Sequence, residues 1–253
     1  MDVTGRTAED PAASRLVANI LNYLSSYSAP AVRKVVYAGS DAGLKHLELM
    51  GLKPVAFGAA PLAADQVLVV GPGADQSLAA NVAAVRQWVQ AGGNVLALGL
   101  NQQEANAFLP FSIKTARSEH ICTVFNPPAL NSLLAGVGPS DVMNRDPRTI
   151  DLVSGGADVL GNGVLASASN AKVVFCQLLP WTFDYQKYYN QKRTFRRTSC
   201  LVTRVLGNMG ADEPTPLLER FSSPAQAADT RYLQGLYLDK PEEMDDPYRY
   251  FQW

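Results

Sequence analysis

One short stretch of the sequence brings together side chains that could act as a catalytic dyad. Glu119, His120 and Cys122 are near neighbours, and His120 and Cys122 are two positions apart, so their side chains would share one face of a strand. A histidine beside a cysteine can activate the thiol as a nucleophile, and a hydrolase with an unconventional site is therefore one hypothesis. Side-by-side packing within a strand is the commoner reason for such a pair.

A second stretch is rich in aromatic residues with polar neighbours. Its members are Trp181, Phe183, Asp184, Tyr185, Tyr188, Tyr189 and Arg193. Aromatic rings with polar tips stack on sugar rings, and they also anchor protein interfaces. Two interpretations stay open: a carbohydrate-binding surface, and an interface or packing surface, which we favour.

The composition argues against several other classes of function. The chain has 253 residues, a formal net charge of -1, three cysteines and two histidines, and no pair of these has the spacing of a metal site. Its apolar runs fall short of the roughly 18 residues that a membrane helix needs. We therefore expect no metal, no cofactor, no nucleic-acid partner and no membrane partner.

The elements that would position these residues alternate between strand and helix. Apolar, β-branched runs predict strands at residues 32–38, 53–57, 65–70 and 94–98, with helices at 41–50 and 77–90. This alternation predicts an α/β protein with a doubly wound, mostly parallel, flavodoxin-like sheet that has helices on both faces. Further along, we expect strands at 119–125 and 172–179, a helical piece from 127, a hairpin at 149–166 and a closing helix at 195–209.

The turn after residues 94–98 lies where a doubly wound sheet binds its ligands. Residues 67–103 follow the order strand, Gly-Pro-Gly, helix, Gly-Gly, strand and sharp turn, and this stretch resembles the class I glutamine amidotransferases. The resemblance places Gly99 at the nucleophilic cysteine and Gln103 at the final glutamine of the elbow. The histidine and glutamate partners would follow a late strand, where the chain has Pro180, Trp181 and Thr182. We therefore expect no catalytic residue at Gly99 and a chain that is not an enzyme.

A narrower resemblance covers much of the second half. The segments are SEHI (118–121), LAGVGPSD (134–141), RTFRRT (193–198) and LYLDKPEEMDDPYR (236–249). They resemble accessory regions of large bacterial glycosidases of the β-galactosidase type. The resemblance implies a non-catalytic structural or interaction domain that contacts a protein partner or a second copy, with a glycoside hydrolase as parent or partner protein.

Three regions are predicted along the chain. Residues 1–30 are a helical segment, interpreted either as a remnant of a preceding domain or as an unrelated amphipathic helix. Residues 31–210 form the amidotransferase-like, Rossmann-like domain, and residues 211–253 are an extended docking tail rich in proline, acidic and aromatic residues. As written, the chain predicts a cytoplasmic protein; for a piece of a longer protein the compartment stays open, with a periplasmic and a secreted location among the alternatives.

Overall fold

A computed structural model describes residues 10–28, 31–58, 60–168, 170–185, 187–188 and 191–211. The chain divides into two units, residues 1–31 and residues 32–253. The predicted tail lies outside the described residues, except for Ala211.

In the first unit, the described residues form the helix α1 at Pro11–Ser26. The Asp10 side chain accepts a hydrogen bond from the Ala12 amide at 2.8 Å, and Pro11 occupies the first turn, where a missing amide hydrogen costs nothing. Leu16, Ile20 and Leu24 recur at every fourth position, and all three are exposed.

The second unit is built on a seven-stranded sheet. Its strands are β1 (Lys34–Ala38), β2 (Val55–Ala56), β3 (Gln66–Val70), β4 (Asn94–Leu98), β7 (Asp158–Leu160), β8 (Leu165–Ala168) and β9 (Val173–Cys176). The strand order is β2-β1-β3-β4-β9-β8-β7, in which the first five strands pair in parallel and β8 pairs antiparallel with both β9 and β7. The parallel part has the flavodoxin-like order 2-1-3-4-5, so the predicted fold class is confirmed.

Helices cover both faces of this sheet. The helices are α2 (Asp41–Leu49), α3 (Asp75–Ala79), α4 (Val82–Gln90), α5 (Gln102–Phe108) and α6 (Lys192–Asn208). Strand residues such as Val69 and Leu96 pack with α2 and α6 on one face, and their neighbours Val70 and Ala97 pack with α3, α4 and α5 on the other. The strands are buried on both sides, which explains why they are continuous apolar runs.

The middle of the chain differs from the sequence-based prediction. The strand expected at 119–125 is wrong: β5 is Lys114–His120, and it pairs antiparallel with β6 at Arg148–Gly155 in a separate two-stranded sheet. Most of β5 is exposed, so its sequence is polar and lacks the apolar pattern of a buried strand.

Three further predictions in this region are corrected. The hairpin forms between β7 and β8 rather than across residues 154–156. Residues 154 and 155 belong to β6, which pairs with β5 instead of with the strand that follows it. The helical piece expected from residue 127 is absent from the described loop at 121–138, where turns follow two consecutive prolines. The predicted helix at 77–90 is divided into α3 and α4.

Candidate functional site

The carboxyl ends of four parallel strands meet at one edge of the sheet. In this strand order the crevice for a ligand lies between β1 and β3, where the chain reverses its direction of winding. The loops at this edge begin at Gly39, Gly71, Gly99 and Gln177.

The crevice between β1 and β3 is filled by the side chain of Tyr37. Its hydroxyl donates a hydrogen bond to the Ser40 carbonyl oxygen at 3.1 Å. A Cβ atom at Gly39 would lie 2.5 Å from this hydroxyl oxygen, one at Gly71 would lie 2.8 Å from it, and one at Gly43 would overlap it. Glycine at these three positions makes room for the ring. Burial raises the pKa of Tyr37, so the phenol stays protonated and remains a donor at neutral pH.

A second side chain, that of Leu179, packs over the turn after β4. Gly99 has a φ of +60°, a backbone conformation that favours glycine, and its amide donates to the Cys176 carbonyl oxygen at 2.8 Å. The side chain of Leu179 covers it: a Cβ atom at Gly99 would lie 2.7 Å from both Leu179 Cγ and Cδ2. Gly99 thus has no side-chain atom for nucleophilic attack, and its neighbour leaves no room for one.

The residues that follow Gly99 cap the next helix. Asn101 Oδ1 accepts from the amides of Gln103 and Glu104 at 2.9 and 3.1 Å, and Glu104 Oε2 accepts from the Asn101 amide at 2.9 Å. This capping box satisfies the free amides at the start of α5. Gln103, which aligns with the final glutamine of the amidotransferase elbow, therefore lies in the first turn of α5.

The aromatic segment packs largely against the domain itself. Phe183 is 2% exposed and lies under the Arg148 guanidinium, whose carbon is 4.2 Å from the ring centre. Trp181 is half-buried, and its ring centre is 5.7 Å from that of His46. Tyr185 packs on Phe195 at 4.3 Å. These three rings hold the segment to α2, α6 and β6.

The other predicted members of this surface have different surroundings. Tyr188 is 47% exposed, with the Lys187 ammonium 5.2 Å from its ring centre. Asp184 is exposed and accepts from the Lys187 amide at 3.0 Å, and Arg193 is half-buried on α6. Tyr189 lies outside the described residues. The carbohydrate-binding hypothesis stays a prediction.

Arg148 fastens this segment to the small sheet. Its guanidinium donates to the Thr182 carbonyl and hydroxyl oxygens at 3.0 and 3.1 Å and to Gln191 Oε1 at 3.2 Å, and it pairs with Asp146 at 3.3 Å. A cleft of about 360 Å³ opens here, lined in part by Arg148, Gln177 and Phe183. Gln177 Nε2 donates to the Leu100 carbonyl oxygen at 2.9 Å, whereas its buried Oε1 has no partner among the described groups. The cleft could therefore accept an N–H or O–H donor.

His46 lies beneath Trp181 and is almost fully buried. Its ring meets the Phe195 ring edge-on at 5.5 Å, and its Nε2 is 3.4 Å from the Ser199 hydroxyl oxygen. Burial lowers the pKa of His46 to about 4, so the ring is neutral at physiological pH.

The structure does not bring Glu119, His120 and Cys122 together as a dyad would require. His120 is fully buried at the end of β5, where its ring nitrogens lie 2.7 Å from the Val142 carbonyl oxygen and 3.0 Å from Asn162 Nδ2. Glu119 and Cys122 are exposed, and Cys122 lies beyond the strand. The shared strand face inferred from their spacing is therefore wrong.

The described residues contain no group of three or more His, Cys, Asp or Glu side chains that could hold a metal ion. Within the same ranges, no helix is long and apolar enough to cross a membrane.

The chain is similar in structure to three solved proteins at low sequence identity. It is 12% identical to PurLQS from Thermotoga maritima, with a TM-score of 0.42 over 68% of this chain and 100% of that chain. It is 14% identical to a Thermoplasma acidophilum protein described as part of a GMP synthase, with a TM-score of 0.42 over 76% and 98%. It is 10% identical to a glutamine amidotransferase from Thermotoga maritima, with a TM-score of 0.45 over 72% and 100%. No protein-family model and no curated protein matches the sequence.

The expectation that the chain is not an enzyme is corrected at this point. The solved structures to which it is similar are described as a glutamine amidotransferase and as part of a GMP synthase, and such proteins are enzymes. The absence of a side chain at Gly99 removes one nucleophile, and it does not exclude catalysis by other groups of the chain.

Sequence reasoning missed Tyr37 and Leu179, the two side chains that pack against the glycines of these loops. Tyr37 and Leu179 have ordinary positions in a strand and after one, and each meets its glycines only in three dimensions. The signal that could have found Tyr37 is the presence of glycine at positions 39, 43 and 71, all in turns or helix starts around one strand end.

Proposed function

We propose that this protein is an interaction domain of amidotransferase-like architecture that forms oligomer contacts, as the accessory region of a glycosidase-type protein would. The observation that carries the proposal is the packing at the carboxyl ends of β1, β3 and β4, where Tyr37 and Leu179 take up the space beside Gly39, Gly71 and Gly99. We therefore propose that contacts with other chains are made at another surface of the molecule.

The apolar face of α1 supports an association between copies. Ala13, Val17, Ile20 and Leu24 follow a spacing of four, three and four residues, which places them in one seam of a helix. Ile20 is 43% exposed, and Arg15 is the one charged residue in the helix, so two such faces could meet without burying a charge. The helix is about 24 Å long, and a stable interface buries about 800 Å² per partner, so other surfaces would contribute as well.

Analytical ultracentrifugation of two matched variants tests this proposal. Ile20→Glu with Leu24→Glu places two carboxylates in the seam, whereas Ala18→Glu with Asn22→Glu places two on the opposite face of the same helix. We expect the seam variant to dissociate at concentrations at which the control and the unmodified chain associate. Equal masses for the two variants would contradict the role of α1.

A further inference from the structure

A small cleft with an unusual lining lies at the amino end of β1. Its volume is about 250 Å³, and its lining residues are Val32, Arg33, Lys34, Val35, Gly51, Leu52, Lys53 and Val55. Small-molecule sites typically measure roughly 300–1,000 Å³, so this cleft suits one or two side chains of a polypeptide better than a free ligand.

The lining combines positive charge with exposed apolar surface. Three of its residues are cationic and none is acidic. Lys34 and Lys53 are exposed and form no salt bridge with another described residue, and Val32 and Val55 are each 59% exposed. A segment that carries both carboxylates and large apolar side chains would complement this surface.

The chain itself returns to this cleft after α6. The Arg33 amide donates to the Gly210 carbonyl oxygen at 2.8 Å, and Arg33 forms a parallel bridge with Ala211. Ala211, the residue that precedes residues 212–253, therefore lies beside Arg33, which lines the cleft.

The composition of residues 212–253 is complementary to the rest of the chain. They contain nine Asp and Glu against four Lys and Arg, a net charge of -5, which leaves +4 on residues 1–211 of a chain whose total is -1. Residues 242–253, hereafter the acidic segment, hold four of these carboxylates at Glu242, Glu243, Asp245 and Asp246, followed by four aromatic residues.

We propose that the acidic segment docks in the cleft of its own chain, with carboxylates beside Lys34 and Lys53 and an aromatic ring against Val32 and Val55. Thirty residues separate Ala211 from Glu242. Thirty residues reach at most about 100 Å when fully extended, so this length allows Glu242 to lie at the cleft, and because the two sites belong to one chain a weak contact is sufficient for docking. Because exposed ion pairs are individually weak, several pairs and the apolar contact act together.

Hydrogen exchange of the full chain at low ionic strength, read by mass spectrometry, tests this docking. The cleft variant carries Lys34→Glu and Lys53→Glu, and the segment variant carries Glu242→Lys and Glu243→Lys. The matched control carries Lys114→Glu and Lys172→Glu, which reverse the charge of two lysines elsewhere in the domain. The fourth protein combines the cleft and segment variants, so that the charges are exchanged and opposite signs still meet.

We expect the amides of residues 242–253 to exchange roughly three- to tenfold faster in the cleft and segment variants than in the unmodified chain. The control should keep the original rate, and the combined variant should recover most of the protection. Equal rates in all proteins would overturn the proposal, as would a control that behaves like the cleft variant. Protection that increases with protein concentration would also overturn it, because the segment would then dock on a second copy.

Discussion

The packing of Gly99 makes a quantitative prediction about substitutions at the turn after β4. Alanine at this position must adopt a φ of +60°, which costs about 1–2 kcal/mol for a residue with a side chain. Its Cβ atom would also lie 2.7 Å from Leu179, and overpacking of this kind costs about 1–3 kcal/mol. We therefore expect Gly99→Ala to lower the free energy of unfolding by about 2–5 kcal/mol, a large share of the stability of an ordinary domain.

Substitutions at two other glycines separate the cost of the left-handed backbone from the cost of overpacking. Gly92 has a φ of +93° with no atom within 4 Å of a Cβ, so Gly92→Ala should show the backbone cost alone. Gly58 has an open surrounding and no left-handed backbone, so Gly58→Ala should change stability by less than about 0.5 kcal/mol. Urea denaturation measures the free energy of unfolding of all three variants, and an unchanged m-value shows that the values can be compared.

Leu179→Ala provides the final control for this reasoning. In combination with Gly99→Ala it removes the steric contact, so the loss in the double variant should be smaller than the sum of the two single losses. A Gly99→Ala variant as stable as Gly58→Ala, or strict additivity with Leu179→Ala, would refute the packing described for this turn.

Three further predictions concern His46, Cys176 and Arg148. Burial lowers the pKa of His46 to about 4 from an ordinary value of 6.5, so as the pH falls the imidazole becomes protonated in the unfolded chain before it does in the folded one. The domain should therefore lose up to about 3 kcal/mol of stability between about pH 6.5 and about pH 4. Urea denaturation should show that the stability of His46→Gln depends less on pH over this range. Burial raises the pKa of the Cys176 thiol to about 12, so iodoacetamide at pH 8 should label the exposed Cys122 readily and Cys176 only after unfolding, as peptide mass mapping would show. Arg148→Lys loses the forked hydrogen bonds to Thr182 and the stacking on Phe183, and hydrogen exchange of residues 181–185 should accelerate about tenfold; an unchanged rate would show that the segment is held by its aromatic contacts alone.

The sequence predicted the parallel part of the sheet because those strands are buried on both faces. The apolar runs at β1, β3 and β4 leave little ambiguity, and glycines mark the ends of the helices between them. The bounds of the polar strand β5 were not predicted because most of its side chains are exposed and show no apolar pattern. Its extended conformation is stabilised by the antiparallel pairing with β6.

The sequence predicted where the candidate site lies in the fold, but it did not predict which side chains pack there. The turn at Gly99 follows from local spacing, but the contact with Leu179 joins residues 80 positions apart and has no sequence signal, and only the glycines at positions 39, 43 and 71 mark the place of Tyr37. For the aromatic segment, the sequence favoured an interface or packing surface over a carbohydrate-binding one but did not indicate the contacts, in which Trp181, Phe183 and Tyr185 lie against partners from three different elements.

The proposal of an interaction domain is tested most directly by the mass of the unmodified chain in solution. Sedimentation equilibrium from about 1 to about 100 μM spans the affinities typical of weak and stable homo-oligomers. We expect a weight-average mass that rises with concentration well above the 27.3 kDa of one chain. A mass that stays at 27.3 kDa across the whole range would contradict it.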